Sequence, residues 1–189
     1  MRRAAVIDVG SNAIRLLGAT VDPFGSVVER QFERYALRLG TDVFGSGRLK
    51  RPTVAALEST FKLIAQEMSN LGIDQHWAVA TSAMRDAKNG PQVAKRILKN
   101  TGVKLDIITG QQESSFSKRA LIRAVGGAPP STILLDLGGG SLELERPRSN
   151  APLSIPFGTV RLLSEYPQFQ KPMTQADVEA VRKQLRKKL

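Results

Sequence analysis

The chain contains no cysteine, which excludes a disulfide framework, a thiolate metal site and a thiol nucleophile. Its single histidine, His76, stands just before an apolar run and reads as a structural or surface residue. No run of about eighteen apolar residues occurs, so no membrane-spanning helix is expected. Asp8 interrupts the first apolar stretch too early for a signal-peptide core. These absences point to a cytoplasmic enzyme or binding domain.

What is present is ordinary in bulk and uneven in charge. Hydrophobic residues make up 41% and charged residues 24% of the 189, as in a soluble globular protein of one or two domains. The formal net charge is +11, which favours anionic partners. Residues 1–128 carry 19 basic and 11 acidic groups, residues 129–170 carry 3 and 4, and residues 171–189 carry 6 and 2. A basic surface of this kind is often only solubilising.

Apolar patterning predicts strands at 4–9 and 13–21 joined by the tight turn "DVGSN", then an exposed third strand at 26–34. The glycine-rich stretch 35–49 reads as a loop. Val54, Leu57, Phe61, Ile64, Met68 and Leu71 recur in 3–4 spacing between Pro52 and Gly72, which predicts a helix. Residues 76–89 begin as a buried strand and end as a polar loop. A helix at 91–102, a strand at 104–109 and a helix at 111–127 follow. Ala128-Pro129-Pro130 is the expected domain boundary, because two prolines stop the helix and stiffen the connection. Beyond it come a strand–glycine–strand unit, a strand or turn over 153–163, and a helix over 174–189 with a basic end. Thr174, with Asp177 three residues on, forms a capping-box analogue for that helix. Hairpin, alternating α and β, then hairpin again is the pattern of an α/β architecture with internal duplication.

Two stretches share one plan. "AAVIDVGSNAIRLLGA" (4–19) and "TILLDLGGGSLELE" (132–145) each run as apolar strand, aspartate, glycine-bearing turn and second strand. Glycine has no Cβ, so backbone N–H groups can converge on a phosphate. An aspartate at the strand end can hold a divalent cation through water, and Ser or Asn adds hydrogen bonds. A lone copy reads as an ordinary hairpin turn. Two copies, each opening a unit, point to phosphate binding.

"AVIDVGSNAIRLL", "AVATSAMRDAKN", "IITGQQES", "ILLDLGGGSLELE" and "PFGTVRL" occur in one order and spacing. Over residues 4–165 the chain thereby resembles the exopolyphosphatase/guanosine-pentaphosphate phosphohydrolase family, of the actin, sugar-kinase and heat-shock-chaperone ATPase superfamily. The resemblance implies a ribonuclease-H-like (actin-like ATPase) α/β domain over 1–128 and the incomplete start of a second, similar domain over 129–189. The two would face each other across a cleft. Gly10, Ser11 and Asn12 would form the first phosphate loop, and Gly138, Gly139, Gly140 and Ser141 the second, with Arg85 reaching toward phosphate. Asp136 and Glu143 match acids associated with Mg²⁺, and Asp8 is the corresponding acid of the first loop. Glu113 falls at the position of the family's catalytic glutamate. At a helix start its carboxylate is expected to stay ionised and to accept a water proton. The implied reaction is Mg²⁺-dependent release of terminal phosphate from inorganic polyphosphate, or from guanosine pentaphosphate. Neither a membrane nor nucleic acid is an expected partner; a homodimer is the self-association this reading allows.

Two departures change the charge beside Glu113. Gln112 stands where the family has an acid, and Ser114 and Ser115 stand where it has a small residue and an arginine. The second domain also needs more than the 59 residues that follow Pro130, so a fragment of a longer protein is expected. Such a half-built sheet leaves apolar faces prone to self-association. The alternatives are a polyphosphate- or nucleotide-binding module without turnover and a sugar-kinase-like phosphotransferase, the latter disfavoured by the Glu113 motif.

Overall fold

The computed structural model describes residues 1–148 and 152–186. Strands β1 (Arg2–Val9), β2 (Ile14–Val21) and β3 (Val27–Tyr35) form an antiparallel meander. Helices α1 (Leu39–Ser46) and α2 (Arg51–Asn70) then lead to β4 (Gln75–Ala80), which lies parallel to β1. Helices α3 (Ser82–Asp86) and α4 (Gly90–Thr101) lead to β5 (Leu105–Ile107), parallel to β4. The resulting five-stranded sheet has the order β3-β2-β1-β4-β5. Helix α5 (Gly110–Ala124) connects it to an antiparallel sheet of β6 (Leu134–Leu137), β7 (Leu142–Glu145) and β8 (Leu153–Ile155). Helix α6 (Thr159–Glu165), a 3₁₀ turn (Pro167–Gln170) and α7 (Gln175–Leu185) complete the described chain.

Alternation along β1 sends Ala5, Ile7 and Val9 to one face, where Ile14 and Leu16 of β2 and Ala78 and Ala80 of β4 join them. The 3–4 spacing on α2 lays Val54, Leu57, Phe61, Ile64 and Met68 over that face, and α4 adds Val93 and Ile97. Phe61 is fully buried, so its truncation to Ala would cost about 3–5 kcal/mol. The opposite face is open, with Val6, Leu17 and Trp77 exposed. His76 is exposed on β4, in keeping with its reading as a surface residue.

Four expectations are corrected. The stretch 35–49 is not all loop, because Leu39 and Val43 are buried and nucleate α1. The polar end of 76–89 contains α3, anchored by buried Ala83 and Met84. Residues 153–163 hold both β8 and the start of α6, and the strand at 104–109 narrows to three residues. The capping pair Thr174–Asp177 forms in both directions, at 2.9 Å and 3.2 Å. Residues 187–189 of the expected last helix lie outside the described residues.

Candidate active site

The two glycine turns are the same device. Val9 pairs with Ile14 and Leu137 with Leu142, so each hairpin closes over four residues. Gly10 N donates to Ala13 O at 3.0 Å, and Gly138 N donates to Ser141 O at 2.9 Å. Asp8 and Asp136 each occupy the penultimate position of the entering strand.

The turns lie against each other. A Cβ on Gly139 would fall 3.2 Å from Ser11 Cβ, and one on Gly140 would fall 2.7 Å from Ser11 Oγ. Gly139 and Gly140 are therefore also required by contact between the turns. The carbonyl of Gly138 accepts from Thr159 N at 3.0 Å, and that of Gly139 from Val160 N at 2.8 Å. These carbonyls satisfy the first turn of α6. Among the described residues, the N–H groups of Ser11, Asn12, Gly139 and Gly140 take no protein acceptor. The Ser11 hydroxyl is buried against Ser82, with 2.8 Å between the two Oγ atoms.

Beside the paired turns opens a cleft of about 880 Å³, whose lining includes Asp8, Asn12, Glu113, Asp136 and Glu143. Arg85 of α3 is not among the lining residues and meets the cleft through Glu113. Arg85 Nη1 donates to Ile108 O at 2.9 Å and to Glu113 Oε2 at 3.1 Å. Burial is the main force on Glu113 and pushes its carboxyl up. Glu143 adds to this, while Arg85 and the Thr81 hydroxyl pull it back without cancelling the rise. The easing of ionisation expected at the helix start is therefore opposed by burial.

Glu143 is raised chiefly by burial and further by Asp136, against hydrogen bonds from Ser154 and Ser141. Ser154 Oγ donates to Glu143 Oε1 at 2.8 Å. Asp8 is likewise raised by burial, opposed by Arg15 at 3.0 Å and pushed further by Asp136. Asp136 accepts from Ser117 Oγ at 2.6 Å. The cleft thus concentrates negative charge on oxygen donors. Among the described residues, no three His, Cys, Asp or Glu side chains form a cage for a metal ion. Mg²⁺ keeps several waters and needs only one or two carboxylates, so this donor set fits a hydrated ion and not a dedicated cage.

The two departures beside Glu113 have structural accounts. Gln112 closes a capping box on α5: Thr109 N donates to Gln112 Oε1 at 2.9 Å and Gln112 N to Thr109 Oγ1 at 3.2 Å. Ser114 is fully buried and donates to Glu145 Oε1 at 2.9 Å, while Lys118 Nζ lies 3.4 Å from the other oxygen. Glu145 thereby joins α5 to β7. Ser115 is exposed.

Sequence reasoning missed Thr81, Ser82, Ser117, Ser154 and Arg161. Ser114 and Ser117 share one face of α5 at i,i+3 spacing, and each reaches an acid on the second sheet. That spacing is a usable signal. Ser154 lies in β8, and nothing in its local pattern names Glu143 as its partner.

Two sheets, each opening on a glycine turn beside an acidic cleft, define an α/β protein of the actin-like ATPase fold class. The model of the Ppx/GppA phosphatase family matches residues 24–189, and the chain belongs to that family. It is 35% identical over 167 residues to exopolyphosphatase 1 of Mycobacterium tuberculosis, covering 87% of this chain and 48% of that protein. The crystal structure of the Aquifex aeolicus Ppx/GppA family member matches with a TM-score of 0.75 at 27% identity, over 98% of this chain and 61% of that one. An exopolyphosphatase from Cytophaga hutchinsonii matches with a TM-score of 0.89 at 23% identity, over 100% and 61% of the two chains. This last likeness speaks for the fold alone. The chain spans about half the length of the curated relatives it matches, 48% for exopolyphosphatase 1.

Proposed function

We propose that the chain carries the terminal-phosphate site of an exopolyphosphatase, which hydrolyses the last phosphoanhydride bond of inorganic polyphosphate. The observation that carries this reading is Glu113, held by Arg85 and facing Glu143 in a cleft bounded by two glycine turns. The N–H groups of Ser11, Asn12, Gly139 and Gly140 and the Arg85 guanidinium bind the terminal phosphoryl group. Glu113 accepts a proton from a water whose oxygen attacks the terminal phosphorus. The bridging P–O bond breaks, and the shortened chain leaves with the bond's electron pair on its oxygen. Asp136 and Glu143, with Asp8 nearby, would hold a hydrated Mg²⁺, which would supply neutralising charge for the transferring group. Such a reaction demands positioning and electrostatics more than covalent chemistry, in keeping with a cleft that lacks a thiol.

The net charge of +11 suits a long polyanion. Guanosine pentaphosphate presents the same terminal anhydride and is the alternative substrate. No helix among the described residues is long and apolar enough to cross a membrane, and the site of action is proposed as the cytoplasm. Homodimer formation is proposed, tested by light scattering. The second reading is a polyphosphate-binding module without turnover. Phosphate release from polyphosphate in Mg²⁺, compared with calorimetric binding of the same polymer, separates the readings. Binding with release supports the hydrolase, and binding without release at any Mg²⁺ concentration supports the module.

A further inference from the structure

Arg161 joins three parts of the chain that are far apart in sequence. It lies in the first turn of α6. Its Nε donates to Gly140 O at 2.8 Å, and its Nη2 donates to Asp86 Oδ2 at the end of α3. Its guanidinium carbon sits 4.0 Å from the centre of the Phe44 ring on α1. The site has no slack, since a Cβ on Gly140 would fall 2.6 Å from Phe44 Cζ.

Asp86 adjoins Arg85, the residue that holds Glu113. Helix α3 therefore grips the Glu113 carboxylate with one residue and Arg161 with the next. Through Gly140 that second grip reaches the Gly138–Ser141 turn. We propose that Arg161 is a positioning residue that fixes the second phosphate turn relative to the first turn and to Glu113. The proposal rests on the phosphoanhydride-hydrolase reading of the cleft. Arginine is suited to the task because one rigid plane offers Nε to a carbonyl, Nη2 to a carboxylate and a flat face to a ring. Lysine offers a single flexible point charge.

Asp86 is partly exposed, at 37% of its side-chain surface, so the ion pair alone stabilises the fold little. Its effect is expected in the rate. Arg161→Lys, Asp86→Asn and the double variant are compared in the full chain by polyphosphate kinetics, thermal melting and amide hydrogen exchange. Arg161→Lys is expected to lower kcat about 10–100-fold, since small misplacements act on the transition state. KM stays within about threefold and Tm within about 4 °C, the scale of a weak surface contact. Without substrate, exchange at Gly139 and Gly140 quickens about tenfold, as local opening becomes easier. Asp86→Asn moves the same quantities by less, and the double variant is no worse than Arg161→Lys alone, because one linkage is cut. If Arg161→Lys fails to fold, Asp86→Asn carries the test. Unchanged kcat, unchanged exchange at the turn, or fully additive losses would overturn the proposal. A wild-type chain that releases no phosphate would defeat the hydrolase reading instead, and the substrate-free exchange then decides the role of Arg161.

Discussion

Arg85 and Glu113 meet at 3.1 Å while the same arginine nitrogen donates to the Ile108 carbonyl at 2.9 Å. The backbone just before α5 thus fixes the cation that aims the carboxylate. Replacing Glu113 by Gln keeps an acceptor for Arg85 and removes a charge that burial and Glu143 both disfavour. Phosphate release is expected to fall by at least about 10²-fold, the usual contribution of a general base. Thermal melting is expected to show no loss of Tm.

The raised carboxyl of Glu113 also sets a pH dependence. The base must be unprotonated, so kcat/KM rises with pH through its pKa, and that limb lies above the ordinary glutamate range, near ~4.3. Burial is the main cause, and Arg85 opposes it. Arg85→Gln removes the opposing cation, disfavours the carboxylate further and moves the limb to higher pH. A pH–rate profile checks the direction, and a limb that stayed or moved down would contradict the assignment.

Gly158 stands where backbone meets backbone. A Cβ there would lie 2.3 Å from Gly140 N and 2.4 Å from Gly139 C. Neither atom can swing aside as a side chain can, so Gly158→Ala must push the second turn off the first. The expected cost is about 1–3 kcal/mol, or roughly 2–4 °C in Tm for each kcal/mol in a chain of this size. Melting of Gly158→Ala against Gly102→Ala provides the control. Gly102 has φ 74° but open space around it, so its variant carries backbone strain without the clash.

Asp42 links α1 to α2. Its Oδ2 accepts from Lys50 N at 3.0 Å and from Thr53 Oγ1 at 2.6 Å. Burial alone would raise its carboxyl, but the bonds from Thr53 and Lys50 outweigh burial and hold it below the ordinary value. A lowered folded-state pKa contributes stability above the unfolded value, near ~3.9, and that contribution is lost as pH falls further. Asp42→Ala is expected to cost about 1–3 kcal/mol at neutral pH, the range for orphaned buried donors. The gap from wild type is expected to narrow below about pH 4 in denaturant titrations.

Local periodicity makes the strands and α2 readable from the amino-acid sequence, because periods of 2 and 3.6 residues are written into short windows. Helix α1 is not readable in that way, since Gly40 and Gly45 look like loop residues. They serve instead as small surfaces for α6, with a Cβ on Gly40 falling 3.0 Å from Val160 Cγ1 and one on Gly45 3.5 Å from Ser164 Oγ. Motifs name the cleft residues, and the fold brings Asp8, Asn12, Glu113, Asp136 and Glu143 to one wall. The direction of the Glu113 shift is not legible in the sequence. It depends on burial and on Glu143, which lies on another sheet. Gln112 reads as lost charge in the sequence and is a helix cap in the fold.

The most direct test measures phosphate released from polyphosphate in Mg²⁺ by the wild-type chain and by Glu113→Gln, with polymer binding followed by calorimetry in both. The account predicts that both bind and that only the wild type releases phosphate at an appreciable rate. Equal release by the two proteins, or tight binding by the wild type with no release at any Mg²⁺ concentration, would contradict it.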